Sequence, residues 1–187
     1  MLILASSSPR RKEILANIGY RFDCVAADAD ESLLDGISAR DAVHELALKK
    51  AQAVFSLKGS DVVLASDTVV SLDGRILGKP SDRADAKKML TALSGRRHSV
   101  YTGVCIISAE KCERFVSETQ VEFYSLDESI IEWYLDTGEP FDKAGAYGIQ
   151  GKGSVLVRRI DGDYFTVMGL PAAECFRRLA DFKILPE

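Results

Sequence analysis

Asp67 stands in the middle of Val62-Val63-Leu64-Ala65-Ser66-Asp67-Thr68-Val69-Val70, the most strand-like run in the chain. A carboxylate inside such a run is costly unless it is paired, hydrogen-bonded or bound to a metal. Asp67 is therefore the strongest single candidate for chemistry, the alternative being a structural Asp that serves a bulge or a nearby amide. A second oddity lies at the other end of the charge scale. Ser8-Pro9 reads as the cap and first position of a helix, and Arg10, Arg11 and Lys12 fill its first turn. Unpaired N–H groups and the helix dipole already make that turn positive. The misfit is resolved if an anion is bound there, since free amides, serine hydroxyls and guanidinium forks all donate to phosphate oxygens. The plain alternative, arginines in water or paired with acids, costs only roughly 0.3–1 kcal/mol.

Further charges fall at telling places. Asp28, Asp30 and Glu31 crowd one loop, where they must be solvated, paired or sharing a cation. Lys50 sits on the apolar stripe of a long helix, bracketed by Ala47, Ala51 and Val54, so its ammonium either snorkels to solvent or reaches into a cleft. Lys79 precedes a proline, which holds it extended. Asp142 to Gly153 carries four glycines and two alanines, small enough for close backbone approach to a ligand, with Gln150 offering an amide that both donates and accepts. Neither a Walker A pattern nor G-x-G-x-x-G occurs there.

The elements that must position these residues follow from periodicity and punctuation. A short apolar strand, Leu2-Ile3-Leu4, runs into three serines and a helix from Arg10 to Ile18 with Gly19 at its C-cap. Phe22–Ala26 reads as a strand, Ala39–Leu57 as an amphipathic helix, and Asp61–Ser71 as a strand turning at Asp73-Gly74 into Arg75–Leu77. Asp82 caps a helix to Leu93; His98–Ile107 and Phe115–Tyr124 alternate as a hairpin; Asp127 caps a helix ending at Gly138. Val155–Ile160 and Tyr164–Val167 read as a last hairpin across Asp161-Gly162, before a final helix over Leu170–Phe182 with Pro171 near its start. The expectation is an α/β fold, a mixed twisted sheet flanked by helices and split by a cleft, in one domain over residues 1–187.

A formal charge of −4 argues against broad capture of nucleic acid, so any anion site must be local. No stretch approaches a membrane span and no signal-peptide pattern opens the chain, which makes a cytoplasmic home the default. Cys24, Cys105, Cys112 and Cys175 are scattered, without a C-x-x-C pair, and read as reduced packing residues.

Taken together, S-S-S-P-R-R, A-S-D-T, G-K-P, D-K-A-G-A-Y-G-I-Q-G and the M-G-L-P opening of the last helix resemble the Maf family of nucleotide pyrophosphatases along essentially the whole chain. The resemblance implies an elongated, two-lobed fold related to inosine triphosphatases, with the site in a central cleft and a homodimer as a frequent assembly. It implies hydrolysis of nucleoside triphosphates to monophosphate and pyrophosphate with a divalent metal, Mg²⁺ or Mn²⁺, and a link to septum formation that offers a nucleotide-sensing regulator as the competing class. It places Ser8, Arg10 and Arg11 on the phosphates, with Glu31, Lys50, Asp67 and Lys79 around them and Asp67 as general base; Mg²⁺ typically takes one or two carboxylates plus phosphates, which Glu31 and Asp67 could supply. Arg10, Thr68 and Gln150 match the dTTP/UTP branch, where a branch acting on methylated GTP has Trp, Gln and Glu, and Thr68 and Gln150 are expected to read the pyrimidine edge. Ser66, where the family more often has Ala, adds a hydroxyl beside Asp67.

Overall fold

The computed structural model describes residues 1–32, 36–59 and 61–187. The opening strand β1 (Leu2–Leu4) is fully buried and pairs in parallel with both β2 (Asp23–Cys24) and β3 (Val62–Leu72). Helix α1 (Pro9–Asn17) connects β1 to β2, and α2 (Ala39–Lys58) precedes β3. From β3 onward pairing is antiparallel: β3 with β4 (Arg75–Leu77) and β5 (Arg97–Ile107), β5 with β6 (Cys112–Phe123), and β6 with β7 (Val157–Asp161). The strand order is β2-β1-β3-β5-β6-β7, with β4 paired to the far end of β3. The mixed sheet expected from the alternation of elements is therefore present. Asp73 and Gly74 both take positive φ, the primed turn that Asp-Gly favours.

Strand β3 is eleven residues long and serves two apolar clusters in succession. Leu64 packs with β1, α1, Val104 and Ile106 of β5, and the last helix α6 (Ala172–Asp181). Val70 and Leu72 pack instead with α3 (Arg83–Leu93), α4 (Glu128–Asp136) and Phe123. Residues of the opposite parity, Val63 and Ala65, face α2 through Ala47, Ala51 and Val54. Ser66, Asp67 and Thr68 lie between the two clusters, at the waist.

Helix α2 can lie close to the sheet there because of one glycine. Gly103, the register partner of Asp67 on β5, leaves no room for a side chain: a Cβ would fall 2.2 Å from the Val43 carbonyl oxygen. That close approach brings the face of α2 down onto the middle of β3.

Local expectations hold for the caps of Asp82 and Asp127, whose side chains accept from the Asp85 and Ile130 amides. Two expectations are corrected. The strand over Phe22–Ala26 shrinks to Asp23–Cys24, both exposed at the sheet edge. Tyr164–Val167 is not the return strand of a hairpin but part of a short helix, α5 (Tyr164–Met168). The cause is local: Asp163 accepts from the Phe165 amide as an N-cap, and Gly169, at φ 105°, closes the turn. The four cysteines are free, as expected, although the hairpin brings Cys105 and Cys112 to 3.9 Å between sulfurs.

Candidate active site

A cleft of about 630 Å³ opens at the waist of β3, and all nine residues singled out from the sequence line it: Ser8, Arg10, Arg11, Glu31, Lys50, Asp67, Thr68, Lys79 and Gln150. They arrive from six separate segments, so the site is a product of topology.

The first wall is the start of α1. Ser8 holds the N-cap position, but its hydroxyl caps nothing; its amide donates to Ser6 Oγ at 3.1 Å. The first intrahelical bond runs from the Lys12 amide to the Ser8 carbonyl, so the amides of Arg10 and Arg11 precede the helical ladder and, among the described residues, have no backbone partner. Arg11 is held by three acceptors. Its Nε donates to the Gly169 carbonyl at 2.9 Å, Nη1 to Ser6 Oγ at 3.4 Å and Nη2 to Thr68 Oγ1 at 3.2 Å. A guanidinium has five N–H donors, so two remain to meet a ligand from a fixed plane. Burial lowers the Arg11 pKa, and the nearby charge of Asp67 opposes the shift.

Thr68 is brought to the cleft, yet its hydroxyl is already occupied. Thr102 Oγ1 donates to the Thr166 carbonyl at 2.7 Å, so the 2.8 Å contact between Thr68 and Thr102 must use the Thr68 proton. The Thr68 oxygen then accepts from Arg11. Ser66 donates to the same Gly169 carbonyl at 2.9 Å that Arg11 uses.

On the opposite face of β3, Lys50 reaches from α2 to Asp67. Their side chains are only 14% and 13% exposed, so this is a partly desolvated ion pair. Lys50 also meets Glu31 Oε1 at 2.8 Å, and that bond is the first cause of a lowered Glu31 pKa. Of the acidic loop, Glu31 is thus paired with Lys50, whereas Asp30 folds back onto the Ser32 amide at 2.9 Å and Asp28 is described without a charged partner. Lys49, one residue away, turns to the Ser32 carbonyl at 2.8 Å. The choice between snorkelling and reaching inward is settled for Lys50 by its contacts with Asp67 and Glu31.

The third wall is the glycine-rich segment, folded as consecutive 3₁₀ turns at Glu139–Asp142, Ala144–Ala146 and Gly151–Leu156. The Gly145 amide donates to the Gly78 carbonyl at 3.0 Å, which ties this segment to Gly78-Lys79-Pro80. Tyr134 Oη accepts from the Gly148 amide at 3.0 Å, and burial pushes the phenol up to about 12. Tyr147 is anchored behind the cleft by His98, Nε2 to Oη at 2.7 Å; burial holds that imidazole down at about 4, so it is neutral. Gln150 and Lys79 line the opening.

Three contributors were missed by local reading. Lys143 lines the cleft, with its ammonium bonded to the Glu139 carbonyl and Asp142 Oδ1, both at 2.6 Å, and its stem lying across Gly148. Gly169 supplies the carbonyl that orients Arg11, and a Cβ there would sit 3.2 Å from Arg11 Nε. Gly103 sets the height of α2. A glycine inside a strand was the one available signal for the last, because such residues often mark close backbone approach. The Gly169 and Lys143 roles depend on contacts across the fold.

Five cationic side chains, Arg10, Arg11, Lys50, Lys79 and Lys143, face three carboxylates, Glu31, Asp67 and Asp142, among the described residues lining the cleft. In a chain of formal charge −4 this is a local positive well suited to a polyanion. Among the described residues no group of three or more His, Cys, Asp or Glu side chains gathers to hold a metal by itself. Two hard carboxylates at a polyphosphate-sized cleft nevertheless fit an oxygen-loving dication that takes its remaining ligands from substrate and water. No helix among the described residues is long and apolar enough to cross a membrane.

A dTTP/UTP pyrophosphatase from Bacillus mycoides (strain KBAB4) is 51% identical over 181 residues, 97% of this chain and 95% of that one. A second protein of that name, from Bacillus anthracis (strain CDC 684 / NRRL 3495), is 48% identical over 183 residues, covering 98% and 96%. Protein VC0702 from Vibrio cholerae superimposes on 71% of this chain and 67% of its own, with a TM-score of 0.37 and 8% identity, too distant a likeness to carry an argument. The family model described as Maf-like protein matches residues 1–182, and with near-half identity to its relatives along almost their full length, this chain belongs to the Maf family.

Proposed function

We infer that the protein hydrolyses nucleoside triphosphates, dTTP and UTP foremost, to the monophosphate and pyrophosphate. Relatives near half identical carry that activity in their names. The observation that carries the inference to this chain's own residues is the cleft itself: a fixed arginine and a free helix N-terminus on one side of β3, and a Lys50–Asp67 pair on the other.

The proposed division of labour follows from that geometry. Arg11, already oriented by Gly169, Ser6 and Thr68, offers its two unused N–H groups to phosphate oxygens, and the Arg10 and Arg11 amides with the Ser8 hydroxyl add further donors. Thr68 then works through Arg11 rather than on the base. Lys79 and Arg10 add charge at the opening, and Gln150 is the side chain left to read a pyrimidine edge, pairing with its alternating carbonyl and N–H groups. When the bond between the α and β phosphates breaks, negative charge moves onto the leaving pyrophosphate; fixed cations that favour that distribution lower the barrier. Asp67 is the proposed base: Oδ1 is held by Lys50, and among the described residues Oδ2 has no partner and is free to take a proton from the attacking water. A divalent metal, Mg²⁺ or Mn²⁺, would be held by Glu31 and Asp67 and would supply further neutralisation of phosphate charge. The nucleotide is the partner this site requires; a homodimer, a cytoplasmic home and the absence of nucleic-acid binding belong to the same proposal.

The test is product analysis. Purified protein with Mg²⁺ should release pyrophosphate, not orthophosphate, from dTTP and UTP, and Asp67→Asn should lower kcat by about 10²–10⁴-fold. Orthophosphate as first product, or tight nucleotide binding without turnover, would overturn the reading.

A further inference from the structure

Among the described residues, Lys50 is the one side chain in contact with both carboxylates of the proposed metal pair, and this bears on how a metal reaches them. Its ammonium bonds Glu31 Oε1 at 2.8 Å and Asp67 Oδ1 at the same time. We propose that Lys50 stands in for the divalent cation in the nucleotide-free protein, so that metal joins the site together with nucleotide, whose phosphates draw Lys50 off the carboxylates. The proposal rests on the pyrophosphatase reading of this cleft.

Three observations carry it. First, both carboxylates share one point charge, so a bare dication could occupy the position only by displacing the ammonium. The Lys50 stem leaves α2 from a face packed on Val63, Ala65 and Cys105, and the side chain is 14% exposed, so it cannot simply swing into bulk water without exposing the Asp67 charge beside it. Second, the cleft offers a free dication nothing in exchange. Among the described residues there is no third carboxylate, thiolate or imidazole beside the pair, and Mg²⁺ gives up water reluctantly. Third, the lining carries more cations than carboxylates, five against three, which repels a bare metal and attracts a metal–triphosphate complex of net negative charge. A phosphate in the cleft changes both sides of the balance. It supplies oxygen ligands to the metal and a new partner for the Lys50 ammonium, whose three N–H donors meet only two carboxylates here.

The experiment reads metal binding directly, without turnover. Free Mn²⁺ is followed by electron paramagnetic resonance in titrations of wild type, Lys50→Met and Lys50→Arg, each with and without the non-hydrolysable analogue α,β-imido-dUTP, and binding by the analogue alone is subtracted. Wild type without analogue should bind Mn²⁺ weakly, and the analogue should tighten binding by about 10–100-fold, within the usual range of coupling between two ligands. Lys50→Met frees the carboxylate pair and should gain about tenfold in Mn²⁺ affinity without analogue, whereas Lys50→Arg, which keeps the charge, should not gain. Equal Mn²⁺ affinity in wild type with and without analogue would overturn the proposal even if neither variant folds, and so would a folded Lys50→Met with no gain. The two readings fail separately: absence of pyrophosphate release from dTTP and UTP removes the activity, while the Mn²⁺ titrations still decide the role of Lys50.

Discussion

Gly103→Ala isolates the contact on which the Lys50–Asp67 pair depends, because the change adds one methyl group at a residue that does not itself line the cleft. The new Cβ would lie 2.2 Å from the Val43 carbonyl oxygen and 2.4 Å from its carbon, both backbone atoms of α2. Ordinary contact needs about 3.5 Å, so helix and sheet must part by about 1 Å. Overpacking of this kind costs about 1–3 kcal/mol, and at about 2–4 °C per kcal/mol for a chain of this size Tm should fall by roughly 2–12 °C. The kinetic effect should be larger than the loss of stability suggests. Lys50 lies two helical turns beyond Val43 on the same helix, so a retreat of α2 displaces the ammonium from its place beside Asp67 and Glu31 and from the phosphates it is proposed to meet. Misplacement by about 1 Å can cost about 10²-fold in rate. Pyrophosphate release from dTTP, measured well below Tm, gives kcat/KM; a melt followed by circular dichroism gives stability. Gly78→Ala, where a Cβ meets nothing within 4 Å, should leave Tm unchanged as the control. A Gly103→Ala protein with wild-type Tm and kcat/KM would refute the argument that this glycine sets the site.

Two further outcomes are expected. Arg11→Lys keeps the charge but abandons the fork held by Gly169, Ser6 and Thr68, so kcat/KM should fall by about 10²-fold, the worth of about one charge-assisted bond; a loss under about threefold would show that fork geometry is irrelevant. His98, held at about 4 by burial, binds its proton less readily in the folded state than in the unfolded one. Its contribution to stability is therefore complete above the unfolded value of about 6.5 and is lost as pH falls towards 4, a change of about 3 kcal/mol. Urea midpoints between pH 7 and 5 should decline in the wild type and lose much of that slope in His98→Gln; identical slopes would remove His98 from the acid response.

What could be read in the sequence was whatever one stretch of chain decides alone. The cap residues Asp82 and Asp127, the Asp-Gly turn at Asp73-Gly74 and the alternation through β5 and β6 each need only their neighbours. Asp67 was legible because a carboxylate between β-branched residues is anomalous in any context. Tyr164–Val167 was misread because four apolar and β-branched residues suit a strand as well as one helical turn, and the decision fell to Asp163 and Gly169 on either side. Thr68 was legible as a cleft residue but not as one whose hydroxyl is occupied, since its partners Arg11 and Thr102 lie 57 residues before it and 34 after it. Lys143 could not be separated from an ordinary surface lysine until its stem was seen against Gly148.

The parity of β3 ties folding fidelity to competence. Odd-numbered Val63, Ala65 and Asp67 face α2, while even-numbered Leu64, Ser66 and Thr68 face α1 and Gly169. A slip of one residue would turn the carboxylate towards Arg11, offer Lys50 a hydroxyl, and reverse every apolar side chain at once. A chain paired out of register is therefore denied both its core and the candidate site. A one-residue insertion or deletion that shifts the pairing of β3 removes the core and the site together, and a chain that reaches the native core carries the carboxylate on the side of α2.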